Sequence, residues 1–102
     1  MIGNNRLYMA VRTLATAEGD ARARVCTAML DVDKISRNEF HGSSDLWARI
    51  AQLKRETSAK GRLVQNGRLI RDMYENTAYM RLNRTYKKYA EEILAIWLET
   101  CK

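Results

Sequence analysis

Proline is absent from all 102 residues. No position has its φ locked or its backbone N–H removed, so nothing of that kind interrupts a helix. Cysteine is nearly as scarce. Cys26 and Cys101 lie far apart and form no CxxC pair. Two such residues make no disulfide framework, and they are expected to be reduced thiols packed as small hydrophobes. The single histidine, His41, together with two distant cysteines does not make a zinc site. No metal or other cofactor is expected. Long apolar runs are missing as well. The run from Leu7 to Val11 is stopped by Arg12, too short for a signal-peptide core despite the Ala15-Thr16-Ala17 that follows. No stretch approaches the roughly 18 uninterrupted apolar residues of a bilayer span. The expectation is a cytoplasmic chain without a membrane partner.

What is present is helix-forming. Ala, Leu, Arg, Glu, Lys and Met dominate while β-formers are few, which points to an all-α fold. Hydrophobic residues make up 46% and charged residues 29%, a globular balance that argues against disorder. A chain of this length forms one domain, here residues 1–102, and can bury roughly 60–70% of its unfolded surface.

Helical periodicity recurs along the chain. Leu7, Val11, Leu14 and Ala15 share one face, spaced as a buried helical stripe. Asn4 or Asn5 is placed to cap this helix, and Gly19 to end it. Asp20 then caps a second helix with Ala21, Val25, Ala28 and Met29 inward, and the short turn predicts an antiparallel pair. Ser36-Arg37-Asn38-Glu39 has the capping-box pattern; Phe40 is expected to plug the core, and His41 to Ser44 to form a loop. A third helix starts near Asp45, with Leu46, Trp47, Ile50, Ala51 and Leu53 inward, and ends near Gly61. Arg62 to Glu75 reads as helical, although Asn66-Gly67 favours a turn. The last helix carries Ala78, Leu82, Tyr86, Tyr89, Ala90, Ile93, Ile96 and Trp97 on one side at about 100° per residue. The expected architecture is a bundle of four to five helices with a long C-terminal helix at its centre. Whether that helix continues the one before it stays open.

Catalytic patterns are not matched. His41, Ser43, Ser44 and Asp45 are neighbours, but no GxSxG elbow holds a nucleophile. Asp31-x-Asp33 begins like a calcium loop, yet the sixth position is Ser36 and the twelfth is Gly42, where glycine and glutamate are needed. Gly61 and Gly67 are followed by no GK[ST]. No catalytic residue is assigned, and the chain is expected not to be an enzyme and to take no small-molecule substrate.

Charge carries more information. The net charge is +6, but residues 49–88 hold eleven Lys and Arg against three acids, a local balance of +8. The rest of the chain is at −2. Arg81, Arg84 and Lys88 fall within about 60° of one another on an ideal helix. Tyr79, Asn83 and Thr85 can add hydrogen bonds to phosphate. Clustered cations of this kind replace the counterions condensed on a nucleic-acid backbone. The residues assigned to such a surface are Arg55, Lys60, Arg62, Arg68, Arg81, Arg84, Lys87 and Lys88. A helix-turn-helix reading fails, because Gly61 as the turn glycine places Glu56, Thr57 and Gly67 at positions that pack. DNA or RNA would therefore be met through its backbone.

A second expectation belongs to another class. Ile93 to Leu98 is apolar almost all round, and such a helix must be covered by something. A homodimer or another protein can supply the cover. Tyr86, Tyr89, Ile93, Ile96 and Trp97 are the residues assigned to core or interface in that case. The chain would then be a small regulatory protein, an adaptor or an inhibitor.

Overall fold

The computed structural model describes residues 5–37 and 44–101. The order is α1 (Asn5–Thr16), α2 (Ala21–Val32), α3 (Ser44–Thr57), β1 (Leu63–Gln65), β2 (Arg68–Arg71), α4 (Met73–Tyr79) and α5 (Asn83–Thr100). Helix dominates, with one small two-stranded sheet beside it. The plug at Phe40, residues 38 and 39 of the expected turn and residues 41–43 of the expected loop lie outside the described residues, while Ser44, expected in that loop, begins α3.

Local chemistry explains the first two helices. Gly19 takes φ +100°, a conformation open to glycine because it lacks a Cβ. Asp20 is extended, and its carboxylate accepts from the Ala23 N–H at 3.0 Å. That bond satisfies an otherwise orphaned donor of the first turn. It also holds the Asp20 carboxyl below the usual range, helped by the neighbouring Arg22. The α1–α2 turn is latched from the other side by Arg24, whose Nε donates to the Gly19 carbonyl at 2.9 Å. Ala15, expected inward, is exposed.

The expected helix over Arg62 to Glu75 exists only from Met73 onward, and the part from Leu63 to Arg71 is not helical. It forms an antiparallel hairpin in which Gln65 opposes Arg68 and Val64 opposes Leu69, with an irregularity at the Leu63/Val64 step. The cause is the connecting pair. Asn66 has φ +52° and Gly67 has φ +75°, the two successive positive values that a two-residue hairpin turn needs and a helix forbids. Helix then restarts at Asp72, whose side chain accepts from the Glu75 N–H at 2.8 Å while Glu75 accepts from the Asp72 N–H, a complete capping box. Leu69 and Ile70 of β2 are 57% and 50% exposed.

Helices α4 and α5 are separate, with Met80, Arg81 and Leu82 between them. Burial explains the break. Asn76, Thr77 and Ala78 are buried in α4, and Tyr86, Tyr89, Ile93 and Ile96 are buried in α5. At about 100° per residue, one continuous helix would turn Thr77 nearly opposite Ile93. The break lets both sets face inward. It also ties α5 to α2, since the Arg22 N–H donates to Asn83 Oδ1 at 3.2 Å and Arg22 Nη1 to the Arg81 carbonyl at 3.2 Å. Leu82, placed on the apolar stripe by spacing, is 58% exposed.

The core joins Leu7 and Ala10 of α1, Val25, Ala28, Met29 and Val32 of α2, Ile50 and Leu53 of α3, Tyr74 of α4, and the inner face of α5. Helix α2 packs on α1, α3, α4 and α5, and α5 packs on α1, α2 and α3. The centre is therefore the seam between α2 and α5, rather than α5 alone.

One core group is mismatched. The Tyr86 side chain is fully buried, and its hydroxyl has no hydrogen-bond partner among the described residues. A buried polar group without a partner costs roughly 1–3 kcal/mol. Its ring meets Tyr89 edge-on, with centroids 4.9 Å apart, a contact that phenylalanine keeps. Tyr86→Phe should therefore be neutral or stabilise by about 1 kcal/mol. A thermal melt showing a loss of more than about 4 °C, roughly the effect of 1 kcal/mol in a domain this size, would contradict this account.

Candidate nucleic-acid interface

Four cations of the basic segment are engaged by other elements of the fold, while Arg55 donates from Nη2 to Gln52 Oε1 on its own helix at 2.5 Å. Arg49 of α3 forms an ion pair with Glu92 of α5, and the Glu92 carboxylate raises its pKa further. The Nζ of Lys54 donates to the Asp33 carbonyl at 3.2 Å and the Ile35 carbonyl at 3.1 Å, closing the end of α2. It also stands 5.2 Å from the Trp47 ring centroid. The Arg71 guanidinium lies 3.7 Å over the Tyr79 ring. The fourth is Arg81, which sits in the α4–α5 break and donates from Nη1 to the Tyr89 hydroxyl at 2.7 Å. The helical stripe expected of Arg81, Arg84 and Lys88 does not form, because only the last two are on α5.

The seven remaining assigned cations are all exposed: Arg55, Lys60, Arg62, Arg68, Arg84, Lys87 and Lys88. None is ion-paired with a described residue. They fall into two groups. Arg55 is in the last turn of α3, Lys60 and Arg62 are in the connection that follows it, and Arg68 is in the hairpin. Arg84, Lys87 and Lys88 belong to the first two turns of α5. Helix α4 lies between the groups in the chain and is bonded to the first. Its Thr77 hydroxyl accepts from the Lys60 N–H at 2.9 Å, and Asn76 Nδ2 donates to the Gly61 carbonyl at 3.2 Å. The acids of the same segment are largely occupied, since Asp72 and Glu75 cap α4. Asn83 spends its Oδ1 on Arg22, and Tyr79 is 66% exposed with one ring face under Arg71.

Two hollows offer alternative sites. A groove of about 670 Å³ between α2 and α4 is lined by Asp20, Asp72 and Glu75 as well as Arg22 and Arg71, so its charges are mixed. Its cysteine is a poor nucleophile. Burial, followed by the nearby carboxylates, pushes the Cys26 thiol up to about 11, and only the thiolate reacts. A smaller hollow of about 460 Å³ at the start of α5 brings Arg24 and Lys87 together but also Asp20 and Glu91. Among the described residues, no three metal-ligating side chains come together.

The residues expected at a dimer interface are mostly inside. Tyr86, Ile93 and Ile96 are fully buried and Tyr89 nearly so, while Trp97 is half-buried against Tyr8. They are core residues of the single chain. What α5 leaves exposed is Leu94 and Leu98, at 44% and 54%.

Sequence reasoning missed the hairpin, and with it Gln65 opposite Arg68 at an exposed tip. The signal was the Asn66-Gly67 pair. No protein family matches the chain, and neither the curated proteins nor the solved structures contain a significant match.

Proposed function

We propose that the chain is a binding module, not an enzyme, and that it associates with the phosphate backbone of nucleic acid. The observation that carries this reading is the set of seven exposed cations that no described acid neutralises. Placing phosphates against them releases condensed counterions, which favours binding at low salt. The start of α5 adds to this. Leu82 provides no side-chain cap, and the start of a helix favours an anion near Arg84 through its dipole. Self-association through α5 has less support, because its apolar residues are mostly spent on the core.

The test is fluorescence anisotropy with random-sequence nucleic acid at two salt concentrations. Six phosphate contacts would lose about a thousandfold in affinity between 50 and 200 mM salt. Changing Arg84, Lys87 and Lys88 together to glutamine should reduce the salt slope by about two to three, close to one for each contact removed. All three side chains are exposed, so the fold should survive. Absence of binding at the lower salt, or binding indifferent to salt, would refute the reading.

A further inference from the structure

We propose that the nucleic acid is duplex DNA and that the hairpin β1–β2 enters its major groove tip first. This rests on the backbone-binding reading and adds the substrate and the element that meets it.

The hairpin is an exposed finger on a fixed base. Every residue from Val64 to Ile70 is exposed, and only Leu63 and Arg71 are half-buried. Val64, Leu69 and Ile70 are 55%, 57% and 50% exposed, so the hairpin gives almost no apolar surface to the core. A lone two-stranded hairpin is at best marginally stable in water. Here it is held at both ends. Lys60 and Gly61 are bonded to α4 before β1, and after β2 Arg71 stacks on Tyr79 while Asp72 caps α4. An element anchored at both ends that keeps its apolar side chains out of the core is shaped for contact with something outside the chain.

Charge identifies that contact. From Thr57 to Arg71 the chain has four cations, Lys60, Arg62, Arg68 and Arg71, and no acid. An acidic surface is the complement, and under the backbone-binding reading that surface is the repeating polyanion of a nucleic acid.

The choice among nucleic acids follows from what the hairpin carries. Single-strand binders stack bases on aromatic rings. The hairpin has no aromatic residue, and one face of the nearby Tyr79 ring is covered by Arg71. Duplex RNA has a deep, narrow major groove that side chains do not read. The major groove of B-DNA is about 12 Å wide and 8.5 Å deep, and it admits a two-stranded ribbon. Strands lie about 4.8 Å apart and rise about 3.3 Å per residue, so that depth takes the turn and the two residue pairs behind it. Those pairs are Gln65–Arg68 and Val64–Leu69. Directly opposed residues share a face, and successive pairs alternate. Gln65 and Arg68 therefore meet one wall of the groove with donors suited to base edges. Val64 and Leu69 meet the other with apolar surface suited to thymine methyl groups.

The experiment compares a 20-base-pair DNA duplex, one of its single strands and the matching RNA duplex at one salt concentration. It uses the full chain and its Gln65→Ala/Arg68→Ala variant. Both side chains are exposed and the Asn66-Gly67 turn is untouched, so the variant should melt with the parent. The expected results are a preference for duplex DNA of about tenfold or more, and a loss of that preference in the variant. A single lost base contact is worth about fivefold to a hundredfold. Equal binding to the single strand or the RNA duplex, or a variant indistinguishable from the parent, would overturn the inference and leave backbone binding intact. Absence of binding to all three would overturn both.

Discussion

Ile93→Ala should lower the unfolding free energy by about 2–5 kcal/mol, the usual loss when a buried aliphatic side chain is cut back and its cavity only partly refills. Ile93 has no exposed surface and sits in the seam where α5 packs on α2. Alanine is the better helix former, so the loss will report packing alone. In a domain of about 100 residues it corresponds to a melting temperature lower by roughly 10–30 °C. The neighbouring Leu94→Ala provides the contrast. Leu94 is 44% exposed, and surface changes of that kind stay within about 0.5 kcal/mol. Paired thermal melts decide the matter. A severe Leu94 variant beside a mild Ile93 variant would mean that α5 is rotated about its axis and that the interface residues assigned by sequence are outside after all.

The second large effect lies at the α1–α2 turn. Gly19→Ala should cost about 2–5 kcal/mol, because two penalties act together. A side chain is disfavoured by roughly 1–2 kcal/mol in left-handed backbone, and Gly19 has φ +100°. A Cβ placed there would also stand 2.8 Å from the Cβ of Ala23, and overpacking of this kind costs typically 1–3 kcal/mol. Ala23 has little room to retreat, since its N–H is held by Asp20 in the first turn of α2. Gly61 separates the two penalties. It has φ +67° but open space around its Cβ position, so Gly61→Ala should cost only the conformational part, about 1–2 kcal/mol. Urea midpoints at an unchanged m-value will compare the two. Equal losses would mean that the contact with Ala23 relaxes.

Three elements were legible in sequence because their causes are local. Asp20 caps α2 through a group three residues away, Gly19 ends the preceding turn through its own missing side chain, and Ile50 and Leu53 follow the helical period of α3. The hairpin was legible in principle. Asn66-Gly67 is a strong local signal, but the helix-forming residues around it point the other way, and two successive positive φ values outweigh their summed preference. Arg49 and Arg84 look alike in sequence. They differ because Arg49 meets a carboxylate 43 positions away, which no local pattern reveals. The same holds for Tyr86 and Leu82, one buried and one exposed although spacing places both on the same stripe.

By itself the sequence determined that the chain is mainly helical, where its first three helices run, and that its positive charge is concentrated between residues 49 and 88. Those properties depend on composition, on period and on caps, all of which act over a few residues. The tertiary structure alone decided that α4 and α5 are separate, that Tyr86, Tyr89, Ile93 and Ile96 belong to the core of one chain, and which of the described cations stay exposed without an ion pair. Burial and ion pairing are settled by groups distant in sequence, and only the packed chain brings those groups together.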